Sequence, residues 1–530
     1  MYFQSVSFIV FLVIVFLGYY TLFRRRQWQF LLAASFVFYA FSGLPNLIFI
    51  SATVITTYLI SLKMSKLQQE GGRHEKAFKD KLSKEEMREY KAGVKAGRRR
   101  WLILCLVINF GILAVVKYAD FMLININAVA GFFAGSMPFG RLNFVLPLGI
   151  SFYTFQIMSY IIDLYRGRFS AERNIFKLAL FTSFFPQLIQ GPISRFDDLK
   201  GELFSRHSFE ESLFSQGVLR ILLGFFKKMV IADRLLIPVK ALTENQANYQ
   251  GIYYILAVSL YAVTLYCDFT GGIDITIGIG RALGIKIKEN FNMPFYSKNI
   301  ADYWRRWHIT MGTWFKDYIF FPLSVSKPML NMMKRAKKVF GDKFGKRTPV
   351  YAATIVTWLA TGLWHGAAWN FVVWGLVNGV IIILSQELTP AYSAFHKRFG
   401  LKGKKIYEAF QVFRTFWLMC FIRSFDIYGG VGNTVKMFLS MFTNLNIVSF
   451  FQNGILPPGL SFADYAVAGV GVVFLIVLGI SRRWLGEEKA GKLMSSGLKY
   501  PAFIAVFLLI AVFGIYGIGY DANQFIYNRF

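Results

Sequence analysis

Long apolar runs alternate with short basic clusters along the whole of this 530-residue chain. A helix that crosses a bilayer needs about 20 mostly apolar residues. The first such run, roughly residues 5–23, stops at Arg24, Arg25 and Arg26. No basic residue precedes it, the reverse of the charge order in a cleavable signal peptide. Residues 28–62 hold two runs divided by Gly43-Leu44-Pro45, a breaker that predicts a hairpin turn. Further spans are expected at about 101–117, 143–164, 212–235, 252–284, 406–422, 464–480 and 500–519, and residues 350–384 suffice for two short passes or a buried helical pair.

Two stretches break this pattern. Residues 174–198 are apolar but carry Pro186, Pro192, Gln187 and Gln190. Irregular backbone at membrane depth survives only when covered by protein or lining a cavity, so a re-entrant segment is expected. Residues 302–324 mix Trp, Arg and Lys with apolar positions, as in a helix at or dipping into the interface. The prediction is an all-α polytopic membrane protein of about eleven transmembrane helices plus re-entrant segments, one domain over 1–530.

Charge then orients the chain. Basic loops stay on the cytoplasmic side. Residues 63–100 form a dense basic insert ending in Arg98, Arg99 and Arg100, and 329–348 are strongly basic. Both are expected in the cytoplasm, with the N-terminus and the tail 520–530 outside a cell membrane. Hydrophobic residues reach 55% and charged residues only 17%. Soluble chains carry about 25% charged residues, so an ordinary soluble enzyme and a disordered chain are excluded. The net charge of +30 (59 − 29) would suggest nucleic acid in a soluble protein. Here the cations sit between spans, so lipid headgroups are the expected partner and nucleic acid is not. Cys105, Cys267 and Cys420 are scattered in apolar stretches, with no pair at metal or disulfide spacing.

Ionisable groups within apolar runs are costly and therefore candidates for function. Three of the five histidines, His74, His207 and His396, lie in polar stretches and are expected to face water. The other two are His365, in a run from Tyr351 to Leu384 without one Asp, Glu, Lys or Arg, and His308, in Trp304-Arg305-Arg306-Trp307-His308. A neutral imidazole in a dry site can act as a general base. It can equally donate one structural hydrogen bond, and the residues alone leave both readings open. Neither has a second ligand at metal spacing, so no metal is expected. Asp268 and Asp274 could bind a cation, cap helix breaks or pair with Arg281. A Gly278–Gly284 glycine cluster has the wrong spacing for a dinucleotide loop.

Trp304-Arg305-Arg306-Trp307-His308-Ile309 with Gly312-Thr313-Trp314, and Leu363-Trp364-His365-Gly366, resemble the two histidine segments of the membrane-bound O-acyltransferases. Leu146-Pro147-Leu148-Gly149, Phe185-Pro186-Gln187 and Asp268-Phe269-Thr270-Gly271 running to Glu289-Asn290-Phe291-Asn292 are similar to the bacterial branch that acts on polysaccharides. The resemblance implies a ring of helices around a central funnel, with no bound cofactor and a thioester co-substrate, acetyl-CoA or an acyl carrier protein. It implies His365 as the base and His308 as the group that positions the donor. Trp364, Trp304, Arg305, Arg306, Trp307, Asn292, Gln187 and Asp268 become candidates for lining the funnel or positioning the donor. The implied acceptor is an extracytoplasmic glycan, with an extracytoplasmic acyltransferase as partner. The Trp-Arg-Arg-Trp-His wording leans to acetyl transfer, with D-alanyl transfer to teichoic acid as the alternative. The Thr270–Asp274 run and the long insert depart from the alginate type and point away from alginate as acceptor. The tail Phe525-Ile526-Tyr527 resembles the aromatic end of a companion peptide of D-alanylation systems, which makes Tyr527 a candidate acyl relay or, alternatively, an interfacial anchor. A transporter or flippase working through Asp268 and Asp274 is the reading of another class.

Overall fold

The structure, a computed structural model, describes residues 3–134, 139–452, 456–495 and 499–516. Among them every regular element is helical. The tail at 520–530, with Tyr527, lies outside the described residues. The chain divides into two compact units, Met1–Phe214 with Ile279–Ile287, and Ser215–Gly278 with Lys288–Phe530.

In the first unit, α1 (Val6–Tyr20) begins where the Ser5 hydroxyl accepts the Phe8 amide at 3.2 Å, satisfying one of the donors a helix start leaves open. It packs against α2 (Gln27–Ala40). The expected turn follows, with Gly43 at φ 121°, a conformation that favours glycine. α3 (Asn46–Phe78) and α4 (Lys84–Ala134) are 33 and 51 residues long. The basic insert is therefore not a separate element. It is the end of one apolar helix and the start of the next, closed by a capping box in which Ser83 and Glu86 bond each other's backbone amides. His74 stacks between Phe78 and Tyr90, with ring centres 4.4 and 4.0 Å away, and Lys91 pairs with Glu75 at 2.6 Å. His207 is half-buried rather than simply solvated: its ring bonds the Tyr19 hydroxyl at 2.9 Å, and the Gln27 amide bonds its backbone on both sides.

The span expected from residue 143 begins at Ile150 instead, as α5 (Ile150–Tyr165). Pro147 lacks an amide proton and Gly149 sits at φ 68°, so helix cannot run through them. Arg98 donates to the carbonyls of Leu164 and Tyr165 at 3.0 and 2.9 Å, which caps the far end of α5. The broken segment breaks where the prolines and glutamines demand: α6 (Ile175–Ser183), α7 (Phe185–Gln190) and α8 (Phe196–Phe204) are three short helices.

The second unit takes over within α9 (Glu211–Phe225), which continues through a π-helical turn at Phe226–Ala232 into α10 (Asp233–Glu244). α11 (Ile252–Ala282) lies against α9. Gly224 faces Gly271 and Gly278 faces the Gly217 carbonyl, and a Cβ at Gly224, Gly271 or Gly278 would strike opposing backbone, so small residues set how closely the two helices approach. The stretch 302–324 is not one helix but α12 (Ile300–Arg306), α13 (Ile309–Phe315), a π-turn and α14 (Phe321–Ser324). The basic stretch is α15 (Lys327–Gly345), broken at Gly341, whose φ of 78° and ψ of 170° are not helical, so that its regular part runs from Lys327 to Phe340. Residues 350–384 are two helices, α16 (Thr348–His365) and α17 (Trp369–Glu387), packed on each other. α18 (Thr389–Arg398), α19 (Lys405–Ile427), α20 (Val431–Thr443), α21 (Ile447–Gln452), α22 (Phe462–Ser495) and α23 (Lys499–Phe513) complete the chain.

Among the described residues five helices are long and apolar enough to cross a membrane: α3, α4, α11, α17 and the first 20 residues of α22. The other expected spans are shorter or interrupted. Interruptions concentrate where polar side chains are drawn inward, at 184–194, 226–232 and 307–320.

Candidate functional site

His308 stands in the two-residue gap between two short helices. α12 ends at Arg306, Trp307 is extended, and His308 adopts φ 48° and ψ 53° before α13 begins. A non-glycine residue in the left-handed region is strained and persists only where its surroundings hold it. Here they do. The Asn292 amide donates to the Arg306 carbonyl and the Ile309 amide to the Asn290 carbonyl, both at 2.9 Å, so the segment 290–292 brackets the gap. The buried Asn290 carboxamide oxygen accepts from the Thr310 amide at 3.0 Å and the Thr310 hydroxyl at 2.9 Å. The same carboxamide lies 3.2 to 3.3 Å from His308 Nδ1. This fixes the ring plane through Nδ1.

The second histidine terminates α16. Gly366 and the turn at Ala367–Ala368 lead at once into α17. Gly362 of α16 and Gly375 of α17 pass so closely that a Cβ on either would overlap the carbonyl of Phe371 or Trp358. The small residues before His365 thus let a second backbone approach closely. His308 is 0% exposed and His365 8%.

Trp364 connects the two. Its ring centre lies 5.7 Å from that of His308 and 5.0 Å from that of His365, edge-on in both cases. Phe269 of α11 covers the other side of His308 at 4.8 Å, and Trp374 of α17 packs on His365 at 4.7 Å. Trp304 sits against Trp374 and Trp358, with its indole N–H donated to Asn378 at 3.1 Å. Two imidazoles 57 positions apart in sequence (365 − 308) therefore share one aromatic, water-poor cluster. In such surroundings a polar interaction is stronger than in water, and a nucleophile and an acyl carbonyl could be held in fixed alignment.

The other expected residues are placed differently from one another. Trp307 belongs to the cluster as a wall, stacked on Tyr303 at 5.6 Å with an interplanar angle of 12°. Arg305 and Arg306 turn to Asp302, at 3.4 and 3.1 Å, and contribute charge at the edge of α12. Asn292 enters through its backbone; the side chain that meets the histidine is that of Asn290. Gln187 belongs to the other unit, where its amide donates to the Pro192 carbonyl and the Ser194 hydroxyl, holding its own turn. Asp268 is 2.6 Å from Lys228, which also contacts Asp233 at 2.7 Å, in a fully buried set at the π-turn. Asp274 pairs with Lys227 at 2.6 Å and Arg220 at 2.9 Å. No three His, Cys, Asp or Glu side chains converge as a metal site among the described residues.

Two residues carry more of the site than the sequence suggested. Asn290 is one. The other is Arg423 of α19, which is 3% exposed and lies 4.2 Å over the Trp307 ring and 5.8 Å over Trp304. It pairs with Asp426 at 3.1 Å and contacts the Tyr303 hydroxyl at 3.4 Å. A lone arginine in an apolar run was the available signal for it.

The profile of the family described as MBOAT, membrane-bound O-acyltransferase family, matches residues 168–336. The chain is 34% identical over 390 residues to a probable alginate O-acetylase of Pseudomonas aeruginosa, covering 73% of this chain and 66% of that one. It is 30% identical over 430 residues to a peptidoglycan O-acetyltransferase of Helicobacter pylori, covering 73% and 70%. A teichoic acid D-alanyltransferase of Streptococcus thermophilus is 29% identical over 298 residues, covering 54% and 69%. The matches span about two thirds of these relatives' lengths. With its helical architecture and its apolar helices, the chain is an acyltransferase of the membrane and belongs to the membrane-bound O-acyltransferase family.

Proposed function

We propose that this enzyme takes an acetyl group from a cytoplasmic thioester, acetyl-CoA or an acyl carrier protein, and passes it across the cell membrane for O-acetylation of an extracytoplasmic polysaccharide. The observation that carries the reading is that His308 and His365 both pack against Trp364 in one buried cluster.

In this account His365 takes the proton of the acceptor hydroxyl, or of a relay hydroxyl. The oxygen then attacks the thioester carbonyl, a C–O bond forms, the C–S bond breaks, and the thiolate leaves with a proton returned from the imidazolium. His308, held at Nδ1 by Asn290, presents Nε2 to the donor and positions its carbonyl. A thioester is already activated, so alignment in a dry chamber can supply several kcal/mol. General-base catalysis adds about 10²–10⁴-fold. No metal is required by this scheme. The donor approaches from the side of the basic segments, and the acceptor or an extracytoplasmic acyltransferase from the other.

The acetyl reading is supported by the two O-acetylating relatives and by the Trp-Arg-Arg-Trp-His wording. D-alanyl transfer from an alanyl carrier protein is the second reading, favoured by the teichoic acid relative. Feeding cells labelled acetate or labelled D-alanine and following ester-linked label on surface glycans, with and without the protein, tests both. Acetyl ester lost with the protein supports the proposal. D-alanyl ester lost instead moves the enzyme to the second reading, and no change in either refutes both.

A further inference from the structure

The segment 327–347 carries eight Lys and Arg and a single acid, Asp342. That acid is spent locally: it pairs with Lys346 at 2.6 Å and Lys337 at 3.5 Å, and these cations hold its carboxyl below the usual carboxylate range. Arg347 pairs with Glu387. The exposed Lys327, Lys334, Arg335 and Lys338 form no ion pair among the described residues.

These cations are ordered with respect to an apolar face. At 100° per residue, Met329, Met332, Met333, Ala336, Val339 and Phe340 fall on one side of α15. Lys327, Lys334 and Lys338 fall opposite, and Arg335 and Lys337 flank the boundary. Ala336 is buried against the protein, but the stripe does not end there: Val339 and Phe340 remain 72% and 66% exposed. Just before α15, Phe321 and Val325 are exposed as well. An apolar stripe that outruns its protein contact, edged by cations, is the pattern of a helix lying in the headgroup layer. Lys327, Pro328, Asn331, Met332 and Arg335 also line an open recess of about 430 Å³. Two cations and an amide donor beside apolar side chains suit a headgroup phosphate whose acyl chains run on beneath the helix.

We propose that α15 is an interfacial anchor that binds anionic phospholipid headgroups, with Val339 and Phe340 inserted below the headgroup plane. Charge complementarity alone would also suit a soluble anion or an acidic protein. The exposed apolar stripe beside the charge favours the membrane, because only a lipid surface meets both faces together. This inference does not depend on the acyl-transfer reading.

The test uses full-length protein in lipid nanodiscs of phosphatidylcholine, alone or with phosphatidylglycerol. A spin label is placed at Phe340→Cys or, separately, at Lys334→Cys, and its accessibility to oxygen and to a water-soluble nickel chelate is read; the three native cysteines are buried. The proposal expects the label at 340 to favour oxygen, and more strongly when phosphatidylglycerol is present, while the label at 334 favours nickel. The triple variant K334E/R335E/K338E should lose the phosphatidylglycerol dependence. Equal nickel access at 340 in both lipids, or a response only to added coenzyme A or to an acidic carrier protein, overturns the proposal. Native mass spectrometry of the unmodified protein gives a second reading: phosphatidylglycerol should stay bound in preference to phosphatidylcholine, and no preference counts against the anchor.

Discussion

The guanidinium of Arg423 lies 4.2 Å from the centre of the Trp307 ring, one residue from His308. This contact ties α19 to the strained gap between α12 and α13. A desolvated cation–π contact contributes about 2 kcal/mol. Arg423 also neutralises the buried Asp426, and breaking such a pair by removing one partner costs about 3–5 kcal/mol. Arg423→Ala should therefore lower thermal stability in detergent and abolish activity. The double variant R423M/D426L should recover much of the stability while activity stays low, because the ring of Trp307 is no longer held. Stability of the single variant equal to the parent would contradict this role.

Asn290 gives a finer test of the same gap. Asn290→Ala leaves the Thr310 amide and hydroxyl without their acceptor, a cost of about 1–3 kcal/mol. It also lets the His308 ring turn. Misplacement of a reacting group can lower rates about 10²-fold, so turnover should fall while the apparent KM for the donor stays near its original value. Steady-state kinetics on purified protein resolves the two. Asn290→Asp, which keeps an acceptor oxygen, should retain more activity than Asn290→Ala.

The crossing of α16 and α17 predicts a third result. Gly375→Leu places a side chain against the Trp358 carbonyl. Overpacking of this kind costs about 1–3 kcal/mol, and here it must move the helix that ends in His365. The variant should reach the membrane in reduced amount and be inactive. Gly429→Ala, at a glycine with open space around it, is the control that should behave as the parent.

The buried ion pairs separate enzyme from transporter. Asp268 and Asp274 are engaged by Lys228, Lys227 and Arg220. Lys228→Met should cost about 3–5 kcal/mol by leaving two carboxylates without that cation, read as a lower unfolding temperature. Asp274→Asn should weaken folding without changing any ion dependence of glycan acylation. A clear shift in proton or sodium dependence would revive the transport reading.

The parts of the site legible in the sequence were those with chemically rare residues in the wrong solvent. His308 and His365 stood out because imidazoles are scarce in apolar runs, and the broken segment 174–198 because Pro186 is tolerated only in the first turn of a helix and Pro192 ends one. The start of α5 was misplaced by seven residues (150 − 143), since apolar content extends through Pro147 and Gly149 where helix does not. α20 and α21 were passed over because each is shorter than a membrane span. Asn290 was not distinguishable from Asn292 by pattern; only the fold shows which side chain turns toward His308. Pairing of Asp268 with Lys228, 40 positions away, follows from the packing of the π-turn at Phe226–Ala232 against α11 and has no local signature.

The most direct test of the account is the acetyl content of surface polysaccharide in cells carrying His365→Gln at membrane levels matched to the parent. The account predicts that the ester disappears while the folded protein remains. Acetylation at the parental level in that variant would contradict it.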